Sequence, residues 1–174
     1  MALPMTPIFT QTVGAGGAAS IAFNNIPQQF TDLKLIFSIR STTNGNPPNP
    51  VGIFFNGSQA LMSFRHLGGN GGSAYGDSGG SGSTFGGIAE PTSYTANTFS
   101  SHELYVPNYT SANFKQCTID SVTENNATTS YLSLVALLCR DTNPITSLGF
   151  YIGNSLTIGQ YSTATLYGII RPGA

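Results

Sequence analysis

Leu33, Leu35, Phe37 and Ile39 alternate with Lys34, Ile36, Ser38 and Arg40, and this period of two is the strongest order in the chain. Successive side chains of an extended strand point to opposite faces, so the alternation sets one aliphatic row against a core. The same period returns in Leu148, Phe150 and Ile152, interleaved with Ser147, Gly149 and Tyr151, and in Ile21 and Phe23. Further runs rich in β-branched and aromatic residues cover 7–13, 51–55, 60–66, 101–107, 114–122, 131–140 and 163–171. The run 131–140 is apolar on both faces, which predicts a central strand or one buried between layers. No stretch of about eleven residues or more carries a helical period.

Turn signals separate these runs. Thr42 to Pro50 reads as a loop, Asn56-Gly57 as a hairpin turn and Asn108 to Ser111 as a tight turn. About eight to ten short strands with such punctuation predict an all-β fold, an antiparallel β-sandwich of the jelly-roll kind. The length of 174 residues fits one domain, with 1–12 an N-terminal arm or edge strand and 13–174 the sandwich. One segment breaks the pattern: residues 68–87 hold about half of the 21 glycines and read as a long glycine-rich loop. Its Tyr75 and Phe85 are the residues that can anchor it on a neighbouring surface.

Charge sets the next limit. Six Lys/Arg and seven Asp/Glu give a net charge of −1, and charged residues make up 7% of the chain against about 25% in ordinary domains. Charge near zero favours association, so the chain is expected to work inside an assembly. Lys34, Arg40, Arg65, Lys115, Arg140 and Arg171 are scattered, which argues against a nucleic-acid surface. The N-terminus lacks a basic n-region and a long apolar h-region, so no secretory signal is read there, and no run is long enough for a membrane-spanning helix. Synthesis in a cytoplasm is the expectation. Cys117 and Cys139 read as two buried small hydrophobes or, alternatively, a cross-strand disulfide. With two histidines and no suitable spacing, no metal site and no cofactor are expected.

Motifs for chemistry are thin. Gly76-Asp77-Ser78-Gly79-Gly80 matches the string around the nucleophile of trypsin-like proteases, but His66 and His102 are wrongly placed for that order. The glycines lack the lysine and following helix of a phosphate loop. Several of the seven carboxylates, which include Glu90 and Asp120, are expected to end strands or cap turns, and Asp32/Lys34 and Arg140/Asp141 to form exposed or interface-rim ion pairs. No catalytic residue is assigned. His66 and His102 are read as satisfied or surface histidines.

Four segments taken together, Ile21 to Leu35, Ala96 to Tyr109, Ile119 to Thr128 and Gln160 to Ile169, resemble a family of small virion structural proteins of tailed bacteriophages. The resemblance spans most of the chain apart from the Pro-rich and Gly-rich segments. It implies a capsid decoration, or cement, protein: a β-sandwich homotrimer on the virion capsid surface, bound to the major capsid protein, with no chemistry of its own. A tail, baseplate or fibre-tip protein that recognises a host surface is the alternative it implies, and a virion-borne polysaccharide hydrolase a third. Contacts are expected from Met5, Ile8 and Phe9 in the N-terminal arm and from Tyr75 and Phe85 in the glycine-rich segment.

Overall fold

The computed structural model describes residues 5–44, 49–124, 126 and 130–171. The part of the Pro-rich loop at 45–48, the start of the N-terminal arm at 1–4 and the end of the third family-like segment at 127–128 lie outside the described residues. Among the described residues twelve strands follow in order: β1 Met5–Thr12, β2 Ser20–Phe23, β3 Asp32–Ile39, β4 Asn49–Phe55, β5 Met62–Gly69 and β6 Ala74–Gly79, then β7 Ile88–Ala89, β8 Ser100–Pro107, β9 Lys115–Thr123, β10 Tyr131–Cys139, β11 Leu148–Ile152 and β12 Thr163–Ile169. They build two antiparallel sheets, one of eight strands in the order β1-β12-β3-β8-β9-β10-β5-β6 and one of four in the order β2-β11-β4-β7. The all-β sandwich is therefore present as expected.

The jelly-roll order is contained in these two sheets. Strands β2-β11-β4-β7 face the set β3, β10, β5 and β6, and the chain crosses repeatedly between the two layers as two Greek keys require. Two additions widen the larger sheet. The β8–β9 hairpin is inserted between β3 and β10, and β12 with β1 extends the sheet beyond β3.

Alternation in β3 is obeyed residue by residue: Leu33, Leu35, Phe37 and Ile39 are buried, while Lys34, Ile36 and Ser38 are partly exposed on the other face. Each fully buried aliphatic or aromatic side chain contributes roughly 1.5–3 kcal/mol. Phe37 crosses the sandwich, its ring stacking on Phe150 of β11 at 4.2 Å. Gly149 lets β11 sit tightly between β2 and β4, since a Cβ there would come 2.5 Å from the Ile21 carbonyl oxygen.

Three sequence expectations need correction. The glycine-rich segment is not one long loop: Asn70 to Ser73 forms a turn, and β6 pairs with β5 from Phe64↔Gly79 to Gly69↔Ala74. Residues 80–87 then return across the structure to β7. Asn56-Gly57, both with positive φ, closes a small hairpin through Phe55 and Ser58, but β4 and β5 on either side lie in different sheets. The ion pairs are also redistributed. Lys34 meets Glu103 at 2.6 Å, Asp32 meets Arg171 at 3.0 Å, and Arg140 donates to Ser81 Oγ.

Two cations serve the loops, Arg40 half-buried and Lys115 buried. The Arg40 guanidinium donates to the carbonyls of Tyr94, Thr95 and Thr98 at 2.7–3.1 Å and so folds the 92–98 segment around itself. Lys115 is buried and donates to the Asp141 and Asn143 carbonyls, which ties the start of β9 to the β10–β11 connection.

Candidate functional site

The N-terminal contact residues fall on an edge strand. β1 pairs with β12 from Met5↔Ile169 to Thr12↔Thr163, with a bulge between Pro7 and Phe9. Met5 is exposed, whereas Ile8 and Phe9 are half-buried and pack on the core. Phe9 stacks on Phe23 of β2, with centroids 5.8 Å apart and planes 6° from parallel. Of the three, Met5 alone is exposed; Ile8 and Phe9 attach β1 to its own sandwich.

Tyr75 and Phe85 are likewise half-buried against their own sandwich. Tyr75 meets the His66 ring edge-on at 5.5 Å, and Phe85 lies 4.5 Å from the same ring and 5.7 Å from Phe64. They pack the glycine-rich segment on β5 while each stays partly exposed.

Among the described residues Ser78, His66 and His102 do not come together. In the β5–β6 ladder His66 is opposite Asp77 and Arg65 is opposite Ser78, so Ser78 and His66 lie on opposite faces of the sheet. The protease-like string therefore cannot assemble a Ser-His pair. His102 is sealed in the core: Nδ1 is 2.8 Å from the Gly86 carbonyl and Nε2 is 2.8 Å from Ser100 Oγ. Burial holds its pKa down, to about 4, so the ring is neutral near neutral pH. The neutral ring has one N–H, which the Gly86 carbonyl requires; Nε2 and the Ile39 carbonyl, 2.9 Å from Ser100 Oγ, then share the one proton of the Ser100 hydroxyl.

His66 also has its pKa lowered by burial, against the pull of Asp77, and its Nε2 has no partner among the described residues. This differs from the satisfied or surface histidine read from the sequence. Ser133 Oγ, Glu90 Oε2 and Asn49 Nδ2 are buried and unpartnered in the same way. Burial pushes the Glu90 carboxyl up; Glu90 directly follows β7, at a strand end as expected, and its Oε1 accepts from the Thr98 hydroxyl. Among the described residues no group of three or more His, Cys, Asp or Glu is placed to hold a metal ion. Cys117 and Cys139 are free, buried thiols, and burial pushes both upward, which suits packing and not nucleophilic attack.

The informative surface is the outer face of the larger sheet. Leu67 on β5, Val122 on β9, and Leu132 and Leu134 on β10 are 61%, 42%, 65% and 51% exposed. Register makes them neighbours: Leu132 is opposite Val122, Leu134 is opposite Leu67, and the two leucines are two apart on β10. Contiguous apolar patches of this kind mark interaction sites on otherwise soluble surfaces. Further along β10 the small side chain of Ala136 opens a hollow of about 600 Å³, bounded by Arg65, Tyr105, Thr118 and Leu138. Arg65 flanks the stripe on the β5 side and Asp120 on the β9 side, and neither forms an ion pair among the described residues.

The sequence did carry a trace of this face, in the two-sided apolarity of 131–140. That run lies well inside the eight-stranded sheet, but the second of its apolar faces is turned outward instead of lying between layers.

Comparison with protein-family models, with curated proteins and with solved structures finds no match for this chain.

Proposed function

We propose that the protein is a non-enzymatic decoration, or cement, protein of a tailed-phage head, a homotrimer that binds the outer capsid surface and stabilises the shell. The observation that carries this reading is the apolar stripe Leu67, Leu132, Leu134 on a sandwich with only six basic and seven acidic residues. A freely diffusing protein gains nothing from such a face, whereas a particle component recovers roughly 25 cal/mol for each Å² of it removed from water. Copies joined to one another bind several shell subunits at once, so weak single contacts become strong together. The partners in this reading are further copies of the chain and the major capsid protein, with no part for nucleic acid or membrane. The protein acts on the virion surface after synthesis in the host cytoplasm.

Purified protein added to heads stripped of it tests the proposal. Saturable binding, with a rise in the temperature at which the heads release their DNA, is the expected result. Failure to bind heads, or binding to the host cell envelope in their place, would overturn it and favour a tail-tip station.

A further inference from the structure

The apolar stripe has a definite electrostatic frame. β10 carries Leu132 and Leu134 outward, β5 on one side carries Leu67 and Arg65, and β9 on the other carries Val122 and Asp120. One flank of the stripe is therefore cationic and the opposite flank anionic. Each flank also has one exposed aliphatic side chain beside its charge. A surface with unlike flanks is complementary to a rotated copy of itself, because the β5 flank of one copy suits the β9 flank of the next.

We infer that this face is where three copies of the chain meet, with the β10 stripes on a common three-fold axis. Leu132 and Leu134 of the three copies pack together at the axis. Around it, Arg65 of each copy faces Asp120 of the next, and Leu67 packs beside Val122 of the next. A two-fold pair and a three-fold ring both use the two flanks of every copy once and close into a finite particle, and the homotrimer of the proposed function selects the ring. The occupant is a second copy and not the capsid shell, because the two charges that complement each other belong to the same chain and are free of other ion pairs among its described residues. A net charge of −1 leaves little repulsion between copies to overcome. This inference rests on the homotrimer in the proposed function and assigns its interface.

The mass of the purified protein in solution, by light scattering on a size-exclusion column, reads the result. The wild type is expected at three times the chain mass, and Leu134→Asp at the chain mass with an unchanged far-ultraviolet circular dichroism spectrum. Because a core defect also dissociates assemblies, the charge pair supplies the second test. Arg65→Glu and Asp120→Arg are each expected to raise the concentration at which the trimer dissociates by about tenfold or more, and the double reversal to restore it. A monomeric wild type, a trimer that survives Leu134→Asp, or a double reversal no better than the single changes would overturn the inference. Binding to stripped heads separates it from the functional reading. Intact trimers of Leu134→Asp that no longer bind heads would assign the face to the shell and sink the inference alone. Wild-type trimers that obey the charge reversal but ignore heads would sustain the inference and sink the cement reading.

Discussion

The imidazole of His102 lies flat on the ring of Phe37, with centroids 4.4 Å apart and planes 4° from parallel. Phe37 in turn stacks on Phe150 of the opposite sheet, so the histidine belongs to the column that joins the two layers. A neutral ring in that column is part of the packing, while a charged one would have no ion-pair partner among the described residues.

This gives a pH dependence with a definite sign. His102 is held at about 4 in the folded protein against an ordinary 6.5, so between those values the unfolded chain binds the proton and the folded protein does not. Stability therefore falls as pH drops from 6.5 to 4, by about 3 kcal/mol from this group, and is flat in this group below that window. His66, lowered by burial, acts in the same direction. Glu90, raised by burial, acts in the opposite one, adding stability as pH falls towards 4.5. Urea midpoints at pH 7, 5 and 4 for the wild type and His102→Gln isolate the contribution, and an equal slope in the two proteins would contradict it.

Asp32 is the second fixed point. Buried at the start of β3, it accepts from Tyr105 Oη at 2.7 Å and the Asn108 amide at 2.9 Å, and it pairs with Arg171. Asp32→Asn is expected to cost about 1–3 kcal/mol, because buried donors lose part of their acceptor. Arg171→Ala is expected to cost no more than about 1 kcal/mol, because its side chain is nearly half exposed. Equal losses from the two changes in urea unfolding would show that the ion pair, and not the hydrogen-bonded cluster, is what matters.

The register of β3 is tested by neighbours. Leu35→Ala is expected to cost about 2–5 kcal/mol, and Leu35→Asp to abolish folding. Ile36→Thr, one residue away on the outer face, is expected to stay within about 1 kcal/mol. Thermal denaturation of the three proteins reads the contrast, and a soluble, native-like Leu35→Asp protein would refute the register.

Gly149 tests how closely the smaller sheet packs. A Cβ at this position comes within 2.4 Å of the Phe54 ring and 2.5 Å of the Ile21 carbonyl oxygen, and the backbone atom cannot rotate away. Gly149→Ala is expected to destabilise by about 1–3 kcal/mol in spite of the better strand propensity of alanine. A neutral or stabilising effect on the melting temperature would contradict the packing.

Strands with one clean apolar face were legible in the sequence, because burial of Leu33, Leu35, Phe37 and Ile39 alone fixes which way β3 faces. β6 was not legible. Ala74-Tyr-Gly-Asp-Ser-Gly79 has weak strand propensity, and what makes it a strand is the free edge of β5 beside it. Nor was the partner of a charge legible from its neighbours in sequence. Asp32 passes over Lys34 for Arg171, brought next to it by the pairing of β3 with β12. The candidate surface showed only as an excess: 131–140 has more apolar residues than one buried face needs, and the surplus leucines form the exposed stripe.

The number of copies of this chain per purified virion, measured by quantitative mass spectrometry against the major capsid protein, tests the central claim most directly. The account predicts an abundance comparable to that of the major capsid protein, as a covering of the shell requires. A few copies per particle would contradict it and place the protein at the tail.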